Sequence, residues 1–140
     1  MSTHEDPEQE VAAGLIFRDG QLLVAQRRLG DHLGGLWEFP GGKRMNHETF
    51  EECLRRELKE ELDVEVEVGE LLETVRHVYP EKQVLLKFFR CRLKQGEPRP
   101  VGCHDVAWIR AADLLAYDFP AADSTLIERL RSTPGWWEPA

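Results

Sequence analysis

The strongest constraint in this chain is a run of acidic residues on the apolar side of a predicted helix. Between Thr49 and Leu62 the apolar residues recur with helical spacing and form a single stripe. At about 100° per residue, Glu57 and Glu61 fall in the middle of that stripe, and Glu60 falls at its edge. Buried carboxylates are costly unless they are paired or bind a metal ion. The helix therefore predicts either an ion-pair network or a metal site.

Neighbouring basic residues supply the first alternative. Arg55, Arg56 and Lys59 each lie three or four positions from an acid of the helix or of its end, which is the spacing of surface ion pairs on a helix. The second alternative is favoured by the glycine-rich run "EFPGGK" just upstream, because such loops bring backbone amides and carbonyls close to a ligand. Clustered carboxylates suit Mg²⁺ or Mn²⁺, which share their coordination shell with substrate phosphates.

Length and composition predict one domain with a short segment at each end. A chain of 140 residues with 41% apolar residues is long enough to bury a core. We expect a disordered N-terminal lead-in at residues 1–9, a globular domain at 10–132 and a C-terminal tail at 133–140. The tail carries Trp136 and Trp137, which predict docking onto the domain or, alternatively, an oligomer contact. We therefore expect a monomer or a homodimer.

Charge and cysteine content narrow the class of protein. The net charge of −8 argues against a stable complex with nucleic acid, because backbone affinity comes from basic residues. No run approaches the ~20 apolar residues of a membrane span, so no membrane association is expected. The N-terminus has neither a secretory nor a transit pattern, which predicts a cytoplasmic protein. The three cysteines show no paired spacing and are interpreted as reduced packing residues.

The order of predicted elements indicates an α/β fold with a mixed β-sheet flanked by helices. A hairpin at residues 11–26 turns at Asp19-Gly20, and an irregular glycine-rich stretch leads to the acidic helix. Strands and helices then follow without a regular βαβ alternation. The predicted strands cover 64–68, 71–80, 82–93 and 106–110, and the predicted helices cover 111–119 and 121–132.

The acidic helix and the residues before it resemble a known family motif. The segment "GGKRMNHETFEECLRRELKEELDV" is similar to the Nudix box, GX5EX7REUXEEXGU, where U is a bulky aliphatic residue. Asp63 stands where the family has glycine, and it tolerates a left-handed backbone better than most residues. Further segments, among them "LWEFPGGK", "YPEKQVLLKFF" and "DFPAAD", extend the resemblance to the MutT-like branch over most of residues 10–131.

The resemblance implies a fold and an activity. It implies a Nudix α/β/α sandwich and Mg²⁺-dependent hydrolysis of nucleoside triphosphates, oxidised ones such as 8-oxo-dGTP among them, to the monophosphate and pyrophosphate. Relatives in this branch also act on CTP. The alternatives are hydrolysis of another nucleoside diphosphate derivative, or a non-catalytic Nudix-fold sensor. A relative of the Nudix-like domain of adenine glycosylases would bind duplex DNA, which the charge disfavours.

The resemblance also implies roles around the metal ion. It makes Glu57, Glu60 and Glu61 the catalytic and metal-binding carboxylates, with the Gly41 carbonyl as a further ligand to Mg²⁺ or Mn²⁺. One of the glutamates would take the proton from water, and the family gives no single choice. The supporting positions of the box are Gly42, which opens it, and Glu48 and Arg56, which by resemblance orient the metal-binding glutamates through an ion pair.

Five residues are candidates for nucleotide binding. By resemblance, Arg27 or Arg28 would contact phosphate, although either could be a solvated charge at a strand end. Phe39 would line the base pocket. Asp123 stands where the family places a base-reading Asn, and a helix N-cap is its alternative role. Lys82 would lie near the base or sugar, unless it is simply a surface turn lysine.

Two further departures from the family concern the loops beside the helix. Met45 and His47 occupy positions where the family often has Glu and Gly, so an acid is lost and the loop could be strained. In addition, Gly102 stands where MutT-like proteins often supply another metal-binding Glu. The residues considered as replacements for that ligand are Glu97, His104 and Asp105.

Overall fold

The structure, a computed structural model, describes residues 8–138. The expected lead-in therefore lies outside the described residues except for Glu8 and Gln9, and the first strand already begins at Gln9. The strands are β1 (Gln9–Arg18), β2 (Gln21–Gln26), β3 (Trp37–Glu38), β4 (Gly41–Lys43), β5 (Glu65–Val78), β6 (Gln83–Gln95) and β7 (Asp105–Ile109). The α-helices are α1 (Phe50–Leu62) and α2 (Ser124–Ser132), and 3-10 turns cover Ala111–Ala116, Ala121–Asp123 and Pro134–Trp137.

The strands form one mixed sheet, as the sequence predicts. Its order is β3-β2-β1-β6-β5, with β4 also paired to β1 and β7 also paired to β2. The central pair, β1 and β6, is parallel, while the remaining pairs are antiparallel. The predicted hairpin is confirmed, because Phe17 faces Leu22 across the Asp19-Gly20 turn.

Alternation along the strands divides the core between the two faces of the sheet. In β2, Leu23 and Ala25 pack with the helix α1, whereas Leu22 and Val24 pack with the helix α2. This follows from the two-residue period of a strand, which sends successive side chains to opposite faces. Both faces are covered by helices, so the predicted α/β/α sandwich is confirmed.

Local signals place both ends of α1. Thr49 is the N-cap, and its hydroxyl accepts from the Glu52 amide at 3.0 Å while the Glu52 carboxylate accepts from the Thr49 amide at 2.8 Å. This reciprocal pair is a capping box. At the other end Asp63 adopts a left-handed conformation, with φ 57° and ψ 44°, and ends the helix. Asp63 thus fills the conformational role of the glycine in the Nudix-box pattern.

Two predictions about elements and one alternative role were wrong. The predicted strands 64–68 and 71–80 are one strand, β5, because bulges around Gly69 carry the ladder past the irregular stretch between Val68 and Leu71. Asp123 precedes α2 but makes no side-chain capping hydrogen bond, so its alternative role as an N-cap is excluded. The predicted helix 111–119 is only the 3-10 turn Ala111–Ala116.

The C-terminal segment docks on the α2 side of the sheet. Trp137 is buried, and its indole Nε1 donates to the Leu130 carbonyl at 2.9 Å. Its ring meets Phe17 edge-on, with the ring centroids 5.4 Å apart. Within residues 8–138, no helix combines the length and the apolar composition needed to cross a bilayer.

Candidate functional site

An open cavity of about 650 Å³ brings together most of the residues singled out from the sequence. It lies where the ends of β2, β3 and β6 approach the carboxyl end of α1. The predicted site residues in its wall are Arg27, Arg28, Phe39, Gly41, Gly42, Glu61, Lys82 and Asp123. Residues that the sequence did not single out also line it, chiefly Glu38, Tyr79 and Cys103. Glu48, Arg56, Glu57 and Glu60 lie outside the lining.

Arg56 organises the acids behind the cavity wall. Its Nη2 and Nε donate to the two carboxylate oxygens of Glu48 at 2.6 and 3.1 Å, and its Nη1 donates to Glu57 at 2.8 Å. The Glu48 side chain is only 8% exposed. The Arg56 guanidinium, followed by the Met45 amide, lowers the pKa of Glu48 to about 2. This geometry fits the supporting role that the resemblance implies for both residues.

The three box glutamates have different surroundings. The carboxylate of Glu57 lies directly against Gly42, where any side chain at position 42 would overlap it. Glu60 is largely exposed, and its nearest cation is the Arg56 Nη1 at 3.4 Å. Glu61 faces the cavity. The helical wheel therefore placed Glu57 and Glu61 inward and Glu60 at the edge correctly.

Glu61 is the box glutamate whose carboxylate lacks, in the described structure, a hydrogen-bond partner at a buried oxygen. Its Oε1 is buried and has no hydrogen-bond partner among the described residues. Burial, and then the charges of Glu38 and Glu57, raise the pKa of Glu61 to about 8. A buried oxygen without a partner costs stability, and a bound cation would satisfy it. The donor set of carboxylate and carbonyl oxygens suits a hard divalent ion.

The acids are gathered on one side of the cavity but do not converge. Among residues 8–138, no group of three or more acidic, histidine or cysteine side chains is arranged to hold a metal ion. The reason is visible in the contacts, since Glu57 is held by Arg56 and Glu60 points into solvent. Gly41 pairs with Ala13 of β1 and lines the cavity near Glu61.

The two candidate arginines differ in their partners. Arg27 donates through Nε to the His32 carbonyl at 2.8 Å and through Nη1 to Glu38 at 2.9 Å. Arg28 is exposed and donates through Nη2 to the Val101 carbonyl at 3.2 Å. Within the described residues, only Arg27 of the two forms an ion pair with a carboxylate. The Arg28 charge is therefore the less neutralised of the two.

Glu38 is the main site residue that the sequence reasoning missed. It lies on the short strand β3, in the cavity wall between Glu61 and Asp123. Burial raises its pKa, while Arg27 lowers it. Its charge in turn raises the pKa of both Glu61 and Asp123. One signal in the sequence could have pointed to it, namely a lone acid between two aromatic residues immediately before the glycine-rich run.

Aromatic rings and Asp123 form the other end of the cavity. Phe39 stacks on Phe119, with centroids 5.1 Å apart and an interplanar angle of 11°. The Trp37 amide donates to the Asp118 carbonyl at 2.8 Å, which holds the segment before α2 against β3. Asp123 is 7% exposed, and burial, with a smaller effect from Glu38, raises its pKa to about 7. This end can take a flat ring and offer it one carboxyl group.

Two positions where the sequence departs from the family, Gly102 and His47 in the box loop, can now be described in the structure. Glu97 forms a two-pronged ion pair with Arg18, both contacts at 3.0 Å, and like His104 and Asp105 it does not line the cavity. Hence none of the three replaces the ligand considered missing at Gly102. His47 is exposed, and among the described non-glycine residues only Asp19, Leu33 and Asp63 have positive φ, so no left-handed strain arises at His47.

Comparisons with known proteins agree with this geometry. Residues 12–129 match the family model described as NUDIX domain. An 8-oxo-dGTP diphosphatase of Proteus vulgaris is 46% identical over 80 residues, which cover 56% of this chain and 71% of the relative. A CTP pyrophosphohydrolase of Escherichia coli K12 is 34% identical, with 86% and 88% of the two chains covered.

Solved structures resemble the fold as a whole. The solution structure of the E. coli ORF135 protein superposes with a TM-score of 0.78 at 31% identity, covering 90% of each chain. The family model matches most of the chain, and the contacts around Arg56 fit the geometry of the Nudix box. The chain belongs to the Nudix family of hydrolases.

Proposed function

We propose that this protein hydrolyses nucleoside triphosphates to the monophosphate and pyrophosphate, with 8-oxo-dGTP as the substrate to test first. One observation carries the proposal, namely a single cavity that joins an aromatic end at Phe39 to an acidic end at Glu61. A nucleotide has the same division, with a flat base at one end and phosphates at the other. Several similar relatives are named 8-oxo-dGTP diphosphatase.

The acidic end is proposed to hold one or more divalent cations, Mg²⁺ in the first instance and Mn²⁺ as an alternative. The residues proposed as ligands are the Glu57, Glu60 and Glu61 carboxylates and the Gly41 carbonyl. When bound, the cation would neutralise phosphate charge and help to orient the attacking water. The buried, unpartnered Oε1 of Glu61 supports this assignment. The Arg56–Glu48 ion pair, at 2.6 Å, would keep the helix positioned while Glu57 changes partner.

Arg28 is proposed as the first phosphate contact. The described structure gives its guanidinium one carbonyl partner, so most of its N–H groups remain available to phosphate oxygens. Arg27 is proposed to support the site through Glu38 instead. Lys82, half-buried in the cavity wall beside Tyr79, supplies a second positive charge towards the sugar end. Arg28 and Lys82 offset part of the negative charge of the acidic residues in the cavity wall.

The base end is proposed to read the nucleotide through Asp123 while Phe39 packs against the ring. A neutral carboxyl group can both donate and accept a hydrogen bond, whereas an ionised one only accepts. With a pKa raised to about 7, Asp123 has access to both forms near neutral pH. This observation favours a second candidate substrate, because the neutral form complements the N3 and N4 edge of cytosine. A similar relative is named CTP pyrophosphohydrolase.

A substrate panel tests the proposal. Purified protein with Mg²⁺ is offered dGTP, 8-oxo-dGTP, CTP and an oxidised CTP, together with ADP-ribose as a nucleoside diphosphate derivative. Released pyrophosphate and phosphate are scored separately. We expect pyrophosphate and the monophosphate, with the highest kcat/KM on an oxidised triphosphate. Release of phosphate alone would contradict the bond position, and a preference for ADP-ribose would favour the other hydrolase class.

Absence of turnover despite binding would favour a sensor. Calorimetric titration of a non-hydrolysable triphosphate, with and without Mg²⁺, separates that outcome from an inactive preparation. Monomeric or homodimeric assembly and a cytoplasmic location stay predictions, as does the lack of a stable nucleic-acid complex.

A further inference from the structure

The segment Arg99–Cys103, between β6 and β7, crosses the carboxyl end of α1. Its backbone amides donate to the last carbonyls of that helix. The Arg99 amide reaches the Leu62 carbonyl at 3.0 Å, and the amides of Val101 and Gly102 both reach the Glu61 carbonyl at 3.1 and 2.9 Å. Carbonyls at a helix end have no partner within the helix. This segment, the crossing segment, therefore completes the hydrogen bonding of α1 at the residue whose side chain faces the cavity.

The same segment is tied to the opposite wall of the cavity. Immediately after it, the His104 amide donates to the Gln26 carbonyl at 2.8 Å, where β2 ends. Arg28 also donates from that strand end to the Val101 carbonyl. Near its start, the Arg99 guanidinium meets the Asp63 carboxylate at 2.6 Å. The crossing segment thus connects the helix that carries Glu61 with the strand end that carries the arginines.

Gly102 makes the close approach possible. A Cβ atom at position 102 would lie 3.2 Å from the Cα and 3.5 Å from the Cγ of Glu61. The first distance is tighter than ordinary van der Waals contact, so even an alanine would push the segment or the glutamate by a few tenths of an ångström. The backbone of Gly102 does not require glycine, since its φ is not in the left-handed region.

The side chain of Glu61 is not held directly. Arg56 fixes the carboxylates of Glu48 and Glu57, but the Oε1 of Glu61 has no described partner. The direction of the Glu61 carboxylate is consequently set by its backbone and by what packs on its stem. Both of these are contacts of the crossing segment.

We propose that the crossing segment, and Gly102 in particular, positions Glu61 for cation binding. The inference rests on the proposed function, in which Glu61 is a metal ligand. Gly102 lines the cavity but carries no side chain, so the role assigned to it is that of a positioning residue that acts through Glu61. A mere structural role would lower the stability of the fold and leave the cation affinity unchanged.

The test compares Gly102→Ala and Gly102→Val with Gly135→Ala, a matched control at a glycine with nothing within 4 Å of an added Cβ. Mn²⁺ affinity is measured by electron paramagnetic resonance on the protein without nucleotide. We expect the Mn²⁺ Kd to rise roughly 10-fold in Gly102→Ala and further in Gly102→Val. Amide exchange at positions 101 and 102, followed by NMR, should accelerate in the same order, while Gly135→Ala matches wild type in both.

Glu61→Gln separates the two hypotheses. If Glu61→Gln weakens Mn²⁺ binding and both Gly102 variants bind like wild type, the positioning role is overturned while the metal assignment stands. If Glu61→Gln binds Mn²⁺ as wild type does, the metal assignment itself is wrong. A fall in the midpoint of thermal unfolding without a change in Mn²⁺ Kd would make Gly102 a packing residue only. Arg99→Ala, at an exposed side chain, provides a second variant that leaves the core untouched.

Discussion

Arg56 and Glu48 meet through two hydrogen bonds, from Nη2 at 2.6 Å and from Nε at 3.1 Å, eight positions apart in the chain. Because the remaining Nη1 donates to Glu57, the pair connects the loop before α1 with an inward-facing carboxylate of the helix. The planar guanidinium is suited to this fork, and a lysine ammonium could not reproduce it.

Arg56→Lys should therefore lower activity with little loss of folded protein. We expect kcat/KM to fall roughly 10-fold to 100-fold, which is typical when a residue that orients metal ligands is replaced. Arg55→Lys is the matched control, since Arg55 is the exposed neighbour on the same helix. Steady-state kinetics and circular dichroism check the prediction, and equal kinetics for the two variants would contradict it.

Glu61→Gln should reduce turnover by about 10²-fold or more, as is typical when one preorganised charged or polar group at a reacting centre is lost. Glu60, the box glutamate at the edge of the same helix, should give a comparable loss as Glu60→Gln. Glu65→Gln, at an exposed acid just beyond the helix, serves as the control. Near wild-type kcat in either box variant would remove that residue from the metal site.

Asp123 should make stability depend on pH. Its pKa rises from 3.8 in a model peptide to about 7 in the fold, so between these values the folded state binds more protons than the unfolded state. The contribution of Asp123 to the free energy of unfolding then falls as pH rises from about 4 to 7 and is level above this range. Asp123→Asn removes this contribution, because an amide does not ionise in this range, and leaves that of Glu61 in both proteins.

Thermal unfolding of wild type and Asp123→Asn at pH 5 and pH 8 measures this effect. The variant should gain stability relative to wild type on going from the lower to the higher pH. Glu128→Gln is the control, because Glu128 is an exposed acid on α2. A difference between the two proteins that is constant with pH would show that Asp123 ionises normally. The ratio of kcat/KM for 8-oxo-dGTP and CTP should also shift in Asp123→Asn.

Replacing Asp63 with glycine should destabilise the fold less than replacing it with alanine. Its left-handed backbone, at φ 57°, is easy for glycine and strained for alanine. Both variants lose the exposed ion pairs with Lys59 and Arg99, which contribute little in water. Asp63→Gly should therefore unfold at a higher temperature than Asp63→Ala, and the difference between the midpoints reports the strain of alanine minus the greater unfolded-state entropy of glycine. A midpoint of Asp63→Gly no higher than that of Asp63→Ala would contradict the prediction.

Trp137 should contribute strongly to stability. It is 7% exposed, packs on Phe17 and donates to the Leu130 carbonyl. Trp137→Ala leaves a cavity and an unpaired carbonyl, so we expect a loss of about 3–5 kcal/mol in the free energy of unfolding. Urea titration measures this loss, and Trp136→Ala, at the half-buried neighbouring residue, is the comparison. A loss no larger than that of Trp136→Ala would mean that the segment docks only weakly.

The acidic helix and the box could be predicted because their signals are local. A capping residue, a 3.6-residue apolar period and a fixed spacing of acids lie within one stretch of chain, and α1 forms there with Glu57 and Glu61 turned inward. Strand order could be predicted only as far as a mixed sheet. The bulge that joins 64–68 to 71–80 depends on pairing with β6, which no local pattern encodes.

Neither the role of Glu38 nor the contact between Gly102 and Glu61 could be predicted, for a related reason. Glu38 becomes a perturbed acid only when β3 lies beside β2 and the segment before α2 covers it. The positioning role proposed for Gly102 rests on a contact with a helix some forty positions earlier in the chain. Both roles arise from tertiary packing, whereas residue type and spacing report mainly on neighbours in sequence.

The parallel pairing of β1 with β6 has a consequence for synthesis on the ribosome. Gln9 pairs with Val84, so 75 residues separate the partners. At roughly 5–20 residues per second, Gln9 is synthesised about 4–15 s before its partner Val84. During that interval β2 and β4 are the available partners, and the edge of β1 that pairs with β6 stays open. Chaperone demand during translation should therefore concentrate on the nascent N-terminal half.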